Sequence, residues 1–259
     1  MKENFDRKEL EDNEHIQEIE FISEDQKLKG KLFFPEQLQV KQPGVIFIHG
    51  WKSNQNSKTD YASTVAGLGY VSMTFDLRGH GESEGDLPVL TMENFIHDGE
   101  AAYDRLIAEH AVDADDITIV GNSLGAYIAI RLIERKNSKN LIIQAPANYP
   151  DQELTHPLVD YAGDKSILEW RKQILKPKTN AALDALNKFK GNLLVVESQL
   201  DDFIPHQTVE NYVSAAQDPA RVKLEIMADA PHSLKDPSLR MQYQKLISDF
   251  LLDKSPIKS

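Results

Sequence analysis

Ile117-Thr118-Ile119-Val120-Gly121-Asn122-Ser123-Leu124-Gly125-Ala126-Tyr127-Ile128-Ala129-Ile130 is the stretch that decides the fold. Its first four residues form a β-branched run of the kind that makes a buried strand, and the residues after Gly125 read as a buried helix. A serine between two glycines at a strand-to-helix turn is a nucleophile elbow. The turn forces the serine backbone into strain, and glycines leave room for strand and helix to approach. The hydroxyl then stands above the sheet, with backbone N–H groups and a helix N-terminus aimed at whatever it attacks. The five-residue pattern alone is weak, because it arises by chance in roughly one chain in ten of this length. Gly81-Glu82-Ser83-Glu84-Gly85 matches it too, but no apolar strand precedes this copy and no helix follows directly. Context selects Ser123 and makes Ser83 a loop residue.

Working outward, apolar or alternating runs lie at 15–22, 28–34, 44–48, 70–75, 116–121, 140–145, 191–197 and 222–228. Helical patterns fall between them near 58–68, 91–110, 124–136, 206–217 and 238–252. Strands alternating with helices predict an α/β fold, a mostly parallel sheet of about eight strands with helices on both faces. The first two runs have no room for a crossover helix and predict an antiparallel hairpin at one edge. Asp236-Pro237 is a cap and first-turn pair for the last helix, and Thr91 can cap the helix that begins at Met92. Residues 146–190 exceed a simple crossover about threefold in length, with short helices expected at 166–175 and 179–189. They read either as a lid insertion or as a long crossover with its own packing. The expectation is one domain over 1–259, with residues 1–14 frayed.

Composition narrows the function. The net charge is −12, which argues against nucleic acid or an anionic membrane surface as partner. With no cysteine, disulfides, zinc–thiolate sites and a cysteine nucleophile are excluded. The charged stretch 1–20 lacks the apolar core of a signal peptide, and no run approaches the ~20 apolar residues of a membrane span. A cytoplasmic enzyme needing no cofactor and no metal is the expectation.

A serine needs a base, and the base needs a carboxylate. His232 follows the last strand run, at the carboxyl edge where α/β sites are built. His15, His97 and His110 have solvated surroundings, His156 lies in the insertion, and His206 starts a helix after Pro205. The carboxylate belongs in the loop after Leu193–Val196, where Asp201 and Asp202 both qualify on geometry. The order serine, acid, histidine is the one that accompanies an elbow.

These motifs together resemble the α/β-hydrolase superfamily, close to bacterial carboxylesterases and serine-peptidase-like hydrolases (serine aminopeptidase and prolyl-oligopeptidase-like). The likeness runs from about residue 28 to residue 252. It rests on Val45-Ile46-Phe47-Ile48-His49-Gly50-Trp51, on Asp76-Leu77-Arg78-Gly79-His80-Gly81-Glu82-Ser83, on the elbow, on Asp201 to Pro205, and on Pro231-His232-Ser233. Ala126 stands where the family often has a further glycine, and Asn122 where relatives often have histidine. The resemblance implies a catalytic triad of Ser123, Asp201 and His232, with Asp202 as the alternative acid. It implies an oxyanion hole from the backbone N–H groups of Trp51 and Leu124, with His49 orienting that loop. Asp76, Arg78 and His80 are expected as a buried polar network beside the site. Trp51, Tyr149 and Trp170 are expected to contact substrate.

The reaction implied is hydrolysis of small or medium acyl or aryl esters. Thioesterase, acyltransferase and peptidase chemistry use the same machinery. A peptidase reading free N-termini needs an acidic anchor, for which Asp151, Glu153, Asp160 and Asp164 are available. A non-catalytic binding protein on the same fold and a metal-dependent hydrolase built on Asp201, Asp202 and His206 are the remaining alternatives.

Overall fold

The computed structural model describes residues 15–38 and 41–253, so the fraying expected at 1–14 lies outside the described residues. The strands are β1 (Ile16–Ser23), β2 (Gln26–Phe33), β3 (Gln42–Ile48), β4 (Val71–Phe75), β5 (Val112–Asn122), β6 (Asn140–Gln144), β7 (Asn192–Leu200) and β8 (Val222–Pro231). They form one sheet in the order β1-β2-β4-β3-β5-β6-β7-β8. β2 runs antiparallel to both β1 and β4, and every other neighbouring pair is parallel.

The central strands read as unbroken apolar runs because both faces are covered. Successive side chains alternate between two cores. Ile46, Ile48, Ile119, Leu141, Ile143, Leu193 and Val195 point into one core. Val45, Phe47, Val120, Ile142, Leu194 and Val196 point into the other. The first core is closed by α2 (Met92–Ile107), α3 (Leu124–Leu132), α6 (Ala181–Lys188) and α7 (His206–Ala215). The second is closed by α1 (Thr59–Gly67) and α8 (Pro237–Leu252). Asp236 caps α8 by accepting from Ser238 N–H at 2.8 Å and Leu239 N–H at 3.3 Å, ahead of Pro237. At α2 the Asn94 side chain accepts from the Thr91 N–H at 3.0 Å.

The long segment after β6 divides differently from the expectation. α6 packs against α3 and α7 and is the ordinary β6–β7 crossover helix. Asn180 starts it by accepting from Leu183 N–H at 3.1 Å. Only 146–180 is extra, with two short helices, α4 (Leu158–Tyr161) and α5 (Lys165–Arg171). Tyr149, Leu158, Tyr161, Ile167 and Leu175 all join the first core. Among the described residues, no helix is long and apolar enough to cross a membrane.

Candidate active site

β5 ends in Asn122 and α3 begins at Leu124, which leaves Ser123 alone to make the turn. It does so at φ 53° and ψ −119°, a conformation that costs about 1–3 kcal/mol in a non-glycine residue. The flanking glycines serve space. A Cβ on Gly121 would overlap the Gly125 carbonyl, and a Cβ on Gly125 would overlap the Ile48 carbonyl. The Ser123 N–H donates to the Gln144 carbonyl at 3.0 Å, which ties the elbow to the end of β6.

The structure brings Ser123, His232 and Asp201 into one hydrogen-bonded line. Ser123 Oγ lies 3.0 Å from His232 Nε2. His232 Nδ1 lies 2.7 Å from Asp201 Oδ2. Only the tautomer with the proton on Nδ1 serves both contacts, with Nδ1–H donating to the carboxylate and Nε2 accepting from the hydroxyl. Asp201 Oδ1 accepts from Phe203 N–H at 2.8 Å and Ile204 N–H at 2.9 Å, so the acid is locked on both oxygens. Its side chain is 2% exposed, and that of His232 is 20% exposed. Asp202 is exposed and takes no part in the line. Of the two candidate acids, Asp201 is the one hydrogen-bonded to His232.

Gly50 abuts the elbow, since a Cβ there would lie 3.3 Å from Ser123 Cβ. Two buried imidazoles hold this loop. His49 Nδ1–H donates to the Gly50 carbonyl at 2.8 Å while Nε2 accepts from Leu77 N–H at 3.0 Å. Burial pushes its pKa down to about 3, so it is neutral and fixed. His80 Nε2 accepts from Lys52 N–H at 3.3 Å, and burial lowers its pKa too. Trp51 packs edge-on against His80 and Phe95. Among the described residues, no hydrogen bond engages the N–H of Trp51 or Leu124.

The expected Asp76–Arg78–His80 network is found in part: all three are buried, and His80 Nδ1–H donates to the Arg78 carbonyl at 3.0 Å, but the Arg78 and Asp76 side chains bond elsewhere. Arg78 turns away to Asp98, through Nε at 2.7 Å, and to Glu24, through Nη1 at 2.7 Å. Asp76 instead accepts from Gln55 N–H at 2.7 Å and Glu82 N–H at 3.0 Å. A buried guanidinium takes the carboxylate that shares its desolvated pocket, and the sequence does not reveal that Asp98 on α2 is that carboxylate.

A cavity of about 510 Å³ opens beside Ser123, lined by Gly50, Trp51, Asn122, Gln144 and His232, and by residues of the α1 and α8 regions. Trp51 is therefore placed on it. Tyr149 and Trp170 do not line it. Tyr149 is 3% exposed, edge-on to Tyr127 and Tyr161 under the Arg171 guanidinium. Trp170 packs partly buried against the first core. Sequence reading missed Lys58, Tyr61, Arg240 and Tyr243 on this wall. His206 bonds Glu197 at 2.7 Å and approaches Glu210 at 3.2 Å, away from Asp201. Among the described residues, no cluster of three or more histidines and carboxylates is arranged to hold a metal.

The family of serine aminopeptidases, S33, matches residues 40–180. The chain belongs to this family of α/β hydrolases. The chain is 24% identical over 201 residues to an uncharacterized protein of Mycobacterium tuberculosis, covering 74% of this chain and 64% of the other. It thus spans a little under two thirds of that relative's length. Among solved structures it resembles Est1E of Butyrivibrio proteoclasticus, seen with ferulic acid bound. The TM-score is 0.71 at 18% identity, over 91% of this chain and 98% of that one. It also resembles an esterase of Pyrococcus furiosus, with TM-score 0.69 at 22% identity, over 91% of each chain. At these identities the likeness shows the fold.

Proposed function

We propose that this protein is a serine esterase that cleaves carboxylic esters of small to medium acyl or aryl groups. The observation that carries the reading is the line from Ser123 through His232 to Asp201, set on a strained elbow at the mouth of a cavity. Ser123 Oγ attacks the ester carbonyl while His232 Nε2 takes its proton, and Asp201 holds the imidazole and balances the charge that develops on it. The free N–H groups of Trp51 and Leu124 receive the tetrahedral oxyanion, each donor contributing about 2.7–4 kcal/mol. His232 then protonates the departing alcohol. It next deprotonates a water that attacks the acyl-enzyme, and its proton returns to Ser123 as the acid leaves.

Ester cleavage is favoured over trimming of free N-termini by the surroundings of the acids available as an amine anchor. Asp151 accepts from Ala181 N–H at 3.0 Å, Asp164 caps α5 at Ser166 N–H, and Glu153 faces His156. None of them, nor Asp160, lines the described cavity.

The test is hydrolysis of p-nitrophenyl esters from acetate to palmitate, with Ser123→Ala beside the wild type. Activity should peak within the short and medium chains and fall by about 10³-fold or more in the variant. An unaffected variant, or no cleavage of any ester, would remove the esterase reading.

A further inference from the structure

The cavity beside Ser123 is lined by charge of one sign. Lys58, Lys235 and Arg240 line it, and no carboxylate does. This occurs in a chain whose acids outnumber its bases 41 to 29. A cleft walled by one sign of charge concentrates ligands of the other sign.

The three cations differ in how they are engaged. Arg240 is already committed: Nη2 meets Asp60 at 2.9 Å and the Ser57 carbonyl at 3.4 Å, and the guanidinium lies 4.9 Å from the Tyr61 ring centre. Lys235 is exposed at the rim. Lys58 is half-buried, with Nζ 5.7 Å from the same Tyr61 ring, and among the described residues it forms no ion pair with a carboxylate. Desolvation of the ammonium, with Arg240 as the second influence, brings its pKa down to about 7. At neutral pH the group is therefore part amine and part ammonium, and an anion bound beside it would favour the ammonium.

Other polar atoms on the same wall are also unspent. The Tyr243 hydroxyl is buried without a partner, as is Asn122 Oδ1, and both residues line the cavity. Lys58, Asn122 and Tyr243 share the lining of this cavity, and a hydroxyl donor together with an ammonium suits an oxyanion, with an amide oxygen as an acceptor for the ammonium. Tyr61 and Tyr243 meet edge-on with ring centres 5.3 Å apart, which fixes the wall.

We infer that Lys58 and Tyr243, with Arg240 and Lys235 adding charge, form an anion subsite beside the nucleophile, and that the ester cleaved carries a carboxylate or phosphate group. This rests on the esterase reading and narrows its substrate to anionic esters. The triad explains none of these residues, since none of the four bonds to Ser123, His232 or Asp201.

Two matched ester pairs test it. With the anion on the acyl side, p-nitrophenyl hemiglutarate is compared with p-nitrophenyl valerate. With the anion on the alcohol side, para-acetoxybenzoate is compared with its methyl ester. In one pair the wild type should favour the anionic member in kcat/KM, and Lys58→Met should lower that preference about ten-fold or more, the scale of a charge-assisted hydrogen bond. Lys58→Arg should keep most of it. Lys58→Met removes a desolvated, unpaired cation, so its thermal midpoint should equal or exceed that of the wild type.

The inference is overturned if neither pair shows an anionic preference, or if the preference survives Lys58→Met. If no ester is cleaved, the esterase reading fails separately, and calorimetry with glutarate and inorganic phosphate on the Ser123→Ala protein decides the subsite. Binding lost on adding Lys58→Met supports it. Absent binding, or binding indifferent to that change, overturns it.

Discussion

Ser123 and Ser83 sit in the same five-residue pattern and divide its labour in opposite ways. At the elbow the serine takes the positive φ of 53°, and neither Gly121 nor Gly125 does. At the other copy Gly81 and Gly85 take φ of 52° and 125°, and the serine is relaxed. Glycines at the elbow provide space, and glycines in the loop provide conformation. The hydroxyls follow suit. Ser83 Oγ is spent on the scaffold, donating to the Asp76 carbonyl at 2.7 Å and accepting from Lys29 N–H at 2.9 Å. Ser123 Oγ faces a base. A pattern thus names the residues while the backbone around it decides which of them is strained, and at Ser123 the strained residue is also the one that faces a base.

The largest effect should come from the acid that separates the two serines chemically. Asp201→Asn leaves the shape of the site intact and favours the wrong imidazole tautomer. It should lower kcat on a p-nitrophenyl ester by about 10²–10⁴-fold. Asp202→Asn, at an exposed carboxylate, should change kcat less than about twofold, within the usual range for surface substitutions. Equal losses from the two would mean that His232 is oriented by something other than Asp201.

That pair of neighbours also shows where sequence reading stops. The central strands were legible because both faces of the sheet are covered there, so Val45–Ile48, Ile119–Val120 and Leu193–Val196 read as short apolar runs, while the edge strand β1 alternates between buried and exposed positions. Ser123 and His232 were legible because each sits at the carboxyl end of a recognisable strand. Asp201 and Asp202 share one loop, and the choice lies in a turn whose N–H groups, from Phe203 and Ile204, both bond Asp201 Oδ1. Tyr149 was read as a substrate contact and is buried beside Tyr127 instead, because an aromatic in an insertion looks alike whether it faces core or cavity. Lys58 and Arg240 were invisible. Lys58 lies just before α1 and Arg240 on α8, far apart in the chain, and a lysine before a helix reads as solvated until the fold brings α8 to it.

Space at the elbow is the next part of the comparison to break. Gly121 lies outside the positive-φ region, so the backbone would tolerate alanine there, and it is overlap with the Gly125 carbonyl and the Ala126 Cα that forbids it. All three obstructing atoms nearest that position are backbone, with no flexible side chain to yield. Gly121→Ala should therefore cost about 3 kcal/mol of stability, the upper range for overpacking, as read from a denaturant midpoint. A cost below about 0.5 kcal/mol, the scale of a neutral surface change, would mean that strand and helix separate freely and that the elbow is not held by contact.

The smallest effect belongs to the relaxed serine. Ser83→Ala removes a donor to the Asp76 carbonyl and an acceptor for Lys29 N–H, one link between the loop after β4 and strand β2. Each such bond contributes about 0.5–1.5 kcal/mol, and the half-buried position lets water replace part of what is lost. The expected cost is about 1–2 kcal/mol in unfolding free energy, with ester kcat/KM within about twofold of wild type. The Asp76 carboxylate, as distinct from the carbonyl that Ser83 holds, orders the start of the Gln55 turn that precedes α1, so the loop's grip on Asp76 bears on the cavity wall only indirectly. If Ser83→Ala instead abolished ester hydrolysis while leaving the denaturant midpoint unchanged, the assignment of reactive and scaffold copies would have to be exchanged.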